Sequence, residues 1–240
     1  MIEQAVLLAA GSARRMGSLA AGRPKCLLSI GGQSIVSRAL RALAQHQISR
    51  VTIVDGFAGD LLREALSPEF PPGFLRFIRN ERYAETNNAY SLQLALAGPP
   101  EPFLLLDADV VFDAGAIEKL LNDPHSNRLA LRSRGGWGEE DMKVALRPDG
   151  TVARIGKDVP AEKASGESVG LEAFSAPFAA RLLATLTQRL ESQGHDEWYE
   201  AAFQQLLDGG ESIHAVDLNE LRSIEIDTPE DLERARALFA

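Results

Sequence analysis

From Val6 to Leu28 the chain reads VLLAAGSARRMGSLAAGRPKCLL. It opens on an apolar run, Ala5 to Ala10, short enough for one buried strand. A loop with Gly11 and Gly17 follows, carrying Arg14 and Arg15 between the glycines. The stretch closes on Pro24-Lys25 and the apolar pair Leu27 and Leu28. A glycine after a strand lets backbone N–H groups approach a phosphate closely, and arginines and a lysine can neutralise it. The pattern is not the phosphate loop that ends in Gly-Lys-Ser/Thr, because neither glycine is followed by Lys-Ser/Thr. Nor is it Gly-x-Gly-x-x-Gly, because position 13 is Ala. On local grounds an ordinary strand-to-helix loop with solvated arginines remains the alternative.

Outward from this stretch, apolar runs alternate with amphipathic segments. Ser34 is placed to cap a helix from Ile35 to about Ala44. Val51 to Val54 reads as a second buried strand, Asp60 to Leu66 as a short helix before Pro68, and Phe74 to Ile78 as a third strand. Asn88 to Ala97 is helical by period and ends at Gly98-Pro99-Pro100. Phe103 to Leu106 is a fourth apolar run, closed by Asp107, and Ile117 to Leu121 belongs to another helix. This alternation implies an α/β fold: three layers, a mostly parallel mixed sheet with helices on both faces. Ligands in such sheets lie beyond the carboxyl ends of the strands, where Gly11, Asp107 and Asp109 fall.

After residue 127 the pattern changes. Leu129 to Leu131, Lys143 to Leu146, Val152 to Ile155 and Val169 to Phe174 are short strand-like runs, with Arg147-Pro148-Asp149-Gly150 as a hairpin turn. Helices are expected from Pro177 to about Ser192 and from Glu197 to Leu207. Ser223 to Ile226 is the last strand candidate. Thr228-Pro229 then starts a terminal helix, with Thr as N-cap and Pro at N1.

Composition narrows the function classes. The 240 residues are 45% hydrophobic, which supplies a sizeable core, and the formal charge of −9 argues against a nucleic-acid surface. The single cysteine, Cys26, excludes an internal disulfide and fits a reducing compartment. Met1-Ile2-Glu3-Gln4 lacks the basic start of a signal peptide, and no run approaches the ~20 apolar residues of a membrane span. The expectation is a cytoplasmic protein with no nucleic-acid or membrane partner. His46, His125, His195 and His214 have no metal-site spacing, and hydrolase signatures are missing from the sequence.

Two acidic sites carry chemistry. Leu104-Leu105-Leu106-Asp107-Ala108-Asp109 sets two carboxylates two apart as a strand ends. Carboxylates there suit a hard cation such as Mg²⁺, and the alternative is that they cap loop amides. Ile224-Glu225-Ile226-Asp227 ends directly before a helix N-terminus, where an aspartate also serves as a cap.

Leu8-Ala9-Ala10-Gly11, Arg15-Met16-Gly17 and Pro24-Lys25 together resemble the signature of the nucleotidyltransferases that activate sugar phosphates and related small phosphates. The resemblance covers most of the chain and implies their Rossmann-like fold. It implies that Leu8, Ala9, Ala10 and Gly11 bind the nucleotide, with Asp107 beside them, and that Arg15 and Lys25 lie along the triphosphate. By the same likeness Asp109 and Asp227 hold Mg²⁺. One domain over 1–240 is expected: 1–125 for the nucleotide, 126–215 for the acceptor, and 216–240 as metal-binding strand and terminal helix.

The run Thr86-Asn87-Asn88-Ala89-Tyr90-Ser91-Leu92 is similar to the branch that uses CTP to activate phosphocholine and related phosphates. Adjacent asparagines often only cap a helix, but an amide also offers a donor and an acceptor to a base edge. The likeness implies that Asn87, Asn88 and Ser91 serve the nucleotide. Asp141-Met142-Lys143-Val144, Ile155-Gly156-Lys157-Asp158 and Gly166-Glu167-Ser168 resemble the same branch. Lys157 is placed to steer an acceptor phosphate or to stand solvated in a turn, and Glu167 to face the acceptor. Trp137 and Trp198 both sit among acids rather than in apolar runs, and Tyr199 follows Trp198. An aromatic face near carboxylates suits an organic cation, and equally it can anchor a loop on the core. The expected substrates are CTP and a small phosphate or phosphonate: phosphocholine first, then phosphoethanolamine or 2-aminoethylphosphonate. A sugar or inositol phosphate acceptor, a non-catalytic nucleotide-binding domain, and a homodimer stay open.

Overall fold

The structure, a computed structural model, describes residues 1–12, 14–19 and 22–240, with only the backbone of Arg14, Ser18 and Leu19. Ala13 and the Arg14 side chain therefore lie outside the described residues.

Strand β1 (Gln4–Ala9) is the centre of the molecule. Its alternate residues feed two different cores: Ala5, Leu7 and Ala9 on one face, Val6 and Leu8 on the other. A strand buried on both faces has no polar side to alternate with, which is why its sequence is a continuous apolar run. After a short hairpin, β2 (Ser29–Ile30) and β3 (Gln33–Ser34), come α1 (Ile35–Gln45), β4 (Arg50–Asp55), α2 (Gly59–Leu66), β5 (Leu75–Arg79), α3 (Asn88–Leu96) and β6 (Phe103–Asp107). Ser34 caps α1 as expected, its hydroxyl accepting from the Ser37 amide at 3.1 Å.

The chain then runs through β7 (Val110–Phe112), α4 (Gly115–Asn122), β8 (Arg128–Arg132), β9 (Lys143–Leu146), β10 (Val152–Gly156), β11 (Gly166–Phe174), α5 (Ala176–Gln193), α6 (Glu200–Asp208), β12 (His214–Asp217), β13 (Ser223–Glu225) and α7 (Pro229–Phe239). The main sheet has the path β10-β9-β11-β6-β1-β4-β5, with β8 on β11 and β12 on β8. It is parallel from β6 through β1 and β4 to β5, and β11 joins β6 antiparallel. Helices α1, α2 and α4 cover one face, and α3, α5 and α6 cover the other. These are the three layers of a mixed α/β sheet that the alternation implied.

From β1 the chain moves outward to β4 and β5, then returns to β6 on the other side of β1. The carboxyl ends of β1 and β6 therefore flank the switch point where doubly wound sheets hold ligands. Leu8 pairs with Asp107 across these strands, and the Ala108 amide donates to the Leu8 carbonyl at 3.1 Å.

A smaller ladder completes this end. Strand β7, directly after Asp109, pairs antiparallel with β13, so Glu225 lies opposite Val110. A third core of Met16, Ile30, Ile35, Val111, Ile224, Ile226, Leu232, Ala235 and Phe239 binds this ladder to α7 and to the glycine-bearing loop. Three elements were not expected from sequence: the β2–β3 hairpin, β7 and β12. Each is four residues or shorter, which gives alternation little to act on. Helix α6 begins at Glu200, not at Glu197. Residues 195–199 run along the start of α3 instead, where the His195 and Glu197 carbonyls accept from the Asn87 and Ala89 amides at 2.9 and 3.2 Å. Carbonyls engaged in that way are not available to continue a helix. Among the described residues, no helix is long and apolar enough to cross a membrane.

Candidate active site

A cavity of ≈ 310 Å³ opens at the switch point. Leu8, Ala9, Ala10, Gly11 and Ser12 supply its floor from the end of β1, and Asp107, Ala108 and Asp109 from the end of β6. Arg15 and Lys25 enter from the loop, Glu225 and Asp227 from the end of β13, and Asn80, Tyr83, Thr86, Asn87, Asn88, Ser91 and Trp198 from the far wall.

Lys25 stands at its centre. The turn after Pro24 buries Cys26 (4% exposed) and points the Lys25 amine the other way. Lys25 Nζ lies 2.8 Å from Asp109 Oδ2 and 2.7 Å from Asp227 Oδ1. Burial opposes the ammonium charge, but these two carboxylates outweigh it and hold Lys25 above its ordinary value. Arg15, kept in place by the buried Met16, reaches Asp227 Oδ2 at 3.0 Å. Burial opposes ionisation of Asp227, and Lys25 and then Arg15 overcome it and lower its value. Burial, then Asp109, push the Cys26 thiol up to about 12, so it packs as an inert hydrophobe. The capping alternative for Asp227 is met by its neighbours. Thr228 accepts from the Asp231 amide at 3.2 Å, and Asp231 accepts from the Thr228 amide at 2.9 Å, which leaves the Asp227 carboxylate facing the cavity.

A third acid joins Asp109 and Asp227. One oxygen from each of Asp109, Glu225 and Asp227 lies within 4.8 Å of the others. Asp109 Oδ1 is buried with no hydrogen-bond partner among the described residues. The Glu225 side chain reaches solvent, yet enclosure by protein atoms and then Asp109, Asp227 and Asp107 push its carboxyl up to about 9, with Lys25 opposing. Crowded hard oxygen donors with an unpartnered buried atom fit a divalent cation, which would relieve the like-charge repulsion. Glu225 was legible in principle: in Ile224-Glu225-Ile226-Asp227 the acids alternate with buried isoleucines, as they do around Ala108.

The far wall is a polar network that sequence reasoning read only in part. Asn80 is 1% exposed and donates through Nδ2 to Thr86 Oγ1 at 3.0 Å and Ser91 Oγ at 3.1 Å. Asn87 caps α3 by accepting from the Asn88 amide at 2.8 Å, and Asn88 Oδ1 accepts from the Tyr199 amide at 2.9 Å. Tyr199 itself is fully buried, and its hydroxyl donates to Asp107 Oδ2 at 2.9 Å. Enclosure, then Asp109 and Glu200, hold Asp107 well above the usual carboxylate range.

The acceptor-side residues are dispersed. Trp198, 42% exposed, lines both this cavity and a neighbouring one of ≈ 540 Å³. Lys157 lines the second cavity, with Nζ 4.4 Å from the Trp198 ring centre and 2.9 Å from Glu140 Oε2. Glu167 is bound to Arg132 and lines neither cavity, and Trp137 lines neither. Glu200, on the second cavity, is a buried acid pushed up to about 8 by burial.

Residues 5–206 match the family described as the MobA-like NTP transferase domain. The chain belongs to that family. It is 29% identical over 245 residues to the CMP-5'-(3-aminopropyl)phosphonate synthase of Streptomyces rubellomurinus, covering 99% of this chain and 39% of that protein. It is 27% identical over 228 residues to the 2-aminoethylphosphonate cytidylyltransferase of Lancefieldella rimae, covering 92% of this chain and 87% of that one. The chain thus spans about two fifths of the first relative's length and most of the second's. The fold of the transferase domain is that of the CTP:phosphocholine cytidylyltransferase from Streptococcus pneumoniae, with TM-score 0.80, 18% identity and full coverage of both chains. A similar likeness holds to the inositol-1-phosphate CTP transferase from T. maritima, with TM-score 0.79, 20% identity, and coverage of 100% and 98%.

Proposed function

We propose that this transferase domain is a Mg²⁺-dependent cytidylyltransferase that moves CMP from CTP to a small phosphonate or phosphate carrying a cationic amine, releasing pyrophosphate. The observation that carries the reading is the meeting of Lys25, Asp109 and Asp227 beside the glycine-bearing loop, at the end of β1. An aminoalkylphosphonate is the favoured acceptor, ahead of phosphocholine and phosphoethanolamine, because two relatives are named for such acceptors.

In the reaction an acceptor oxygen forms a bond to the α-phosphorus of CTP, and the bond from that phosphorus to the bridging oxygen of pyrophosphate breaks. The attacking oxygen is already anionic, so the protein needs no general base. Positioning and charge neutralisation supply the catalysis. Asp109, Asp227 and Glu225 would hold Mg²⁺, which when bound adds Lewis-acid neutralisation at the phosphates. Lys25 and Arg15 swing from their carboxylates to the phosphate oxygens and neutralise the leaving pyrophosphate. The backbone from Leu8 to Gly11 takes the nucleotide, and the Asn80–Thr86–Ser91 network presents oriented hydroxyls to the base and ribose. Lys157 exchanges Glu140 for the acceptor anion, and Trp198 offers its face to the acceptor's cationic end. A cytoplasmic site of action belongs to the same reading.

The test is an acceptor panel offered with CTP, ATP, GTP and UTP, read by pyrophosphate release. We expect CTP with an aminoalkylphosphonate or an amino-alcohol phosphate to turn over fastest. Preference for UTP with a hexose 1-phosphate, or CTP binding without turnover on any acceptor, overturns the reading.

A further inference from the structure

Helix α3 begins with amides that have no intrahelical acceptor, and their partners decide what its N-terminus can do. The Asn88 amide donates to the Asn87 side chain at 2.8 Å. The Asn87 and Ala89 amides donate to the His195 and Glu197 carbonyls at 2.9 and 3.2 Å. A non-helical strap, residues 195–199, is therefore docked across the helix start. The contact with the residue after Trp198 is made by a side chain: Asn88 Oδ1 accepts from the Tyr199 amide at 2.9 Å. Trp198 is thus pinned on both flanks, by the Glu197 carbonyl before it and the Tyr199 amide after it. Its ring stands at the seam between the two cavities, with Lys157 over its face.

We propose that Asn88 is a positioning residue for the acceptor: its side-chain carbonyl fixes the strap, and through it the place of Trp198. This rests on the proposed reading that the acceptor enters on the Trp198 side. The carbonyl oxygen that could have read a base edge is engaged with the protein. Tyr199 is fully buried, and truncating Asn88 takes away the acceptor of its amide. The strap would shift to find a partner, and Trp198 would shift with it. The nucleotide floor from Leu8 to Gly11 is not part of this chain of contacts.

The sequence holds two tryptophans, so the experiment is run in a Trp137→Phe background, where all tryptophan emission comes from Trp198. Asn88→Ala is expected to leave CTP affinity by calorimetry within about twofold, to raise acceptor KM about tenfold, and to shift Trp198 emission to the red. Asn88→Asp keeps an oxygen at the same reach and is expected to restore the emission and most of the KM. Asn88→Ser carries the expectation of Asn88→Ala if that variant does not fold. A tenfold loss of CTP affinity with unchanged acceptor KM would make Asn88 a base-reading residue and overturn the proposal. So would a folded Asn88→Asp protein as impaired as Asn88→Ala. Should the unsubstituted protein turn over none of the acceptors, the cytidylyltransferase reading fails by that result alone. The emission of Trp198 across the variants then still decides whether Asn88 holds the strap.

Discussion

Lys25 is shared between two carboxylates, and that sharing predicts how the site tolerates substitution. In Asp109→Ala the ammonium keeps Asp227 at 2.7 Å, so no buried charge is orphaned and the fold should survive. On the proposed reading Asp109 would hold the divalent cation, so pyrophosphate release should nevertheless fall by about a thousandfold or more. Release at the unsubstituted rate, in a variant with an unchanged melting profile, would remove Asp109 from the metal role. A second residue-scale test lies at Gly170, where β11 bulges. Its φ is +71°, and an added Cβ would stand 2.8 Å from Asp107 Oδ2. Gly170→Ala should destabilise by about 1–2 kcal/mol and lower turnover by pushing Asp107 off the Tyr199 hydroxyl. Thermal melting and pyrophosphate release read the two effects. An unchanged protein on both counts would mean that Asp107 has room to move.

At the scale of elements, the short β7–β13 ladder brings Asp227 to Asp109, and the Ile226 amide donates to the Asp109 carbonyl at 3.0 Å. The far end of that ladder is fastened by Asp113. Its carboxylate accepts from the Arg222 amide at 2.8 Å and pairs with the Arg222 guanidinium at 2.7 Å. The Arg222 hydrogen bond, with burial opposing, holds the Asp113 carboxyl below its ordinary value. A carboxyl held low in the folded state adds stability that is fully present above its unfolded value, near pH 4. That stability is lost as pH falls through the folded value. Asp113→Asn should therefore melt below the unsubstituted protein at pH 7, by no more than a few degrees because the arginine is exposed, and the gap should close below about pH 4. A gap that persists undiminished to pH 3 would mean that the ladder's stability does not come from this pair.

For the whole molecule, the cavity draws its walls from elements packed into all three cores, so ligand binding and global stability are linked. CTP with Mg²⁺ at a hundred times its dissociation constant should add about 2.7 kcal/mol, which for a chain of this size raises Tm by roughly 5–10 °C. GTP at the same concentration should add little if the Asn80–Thr86–Ser91 network selects the base. Equal shifts with both nucleotides would take base selection away from the Asn80–Thr86–Ser91 network.

The legible parts of this protein are those written in contiguous residues. The run from Ala5 to Ala10 specifies a strand buried on both faces, Ser34 and Thr228 specify helix starts, and the glycine loop with Pro24-Lys25 carries its chemistry in neighbouring positions. Resemblance supplied the pairing of Asp109 with Asp227, but not the means of their meeting. The meeting depends on β7 and β13, two strands of three residues joined across more than a hundred positions. The run Ser223 to Ile226 is legible as a strand, but β7 is not, and the pairing of the two exists only once the third core has closed around them. The same reason explains the Glu197–Tyr199 segment. Its sequence is compatible with a helix, and what makes it a strap is the set of unfilled amides at the start of α3, a demand that arises in a different part of the chain. The sequence by itself determined the layered architecture, the loop and the identity of the charged groups, because local propensity and hydrophobic period act over a few residues. The tertiary structure alone decided which charges share Lys25, that Glu225 is the third acid, and that Asn88 faces Tyr199, because hydrogen bonds and ion pairs between distant segments form only after the cores have set their spacing.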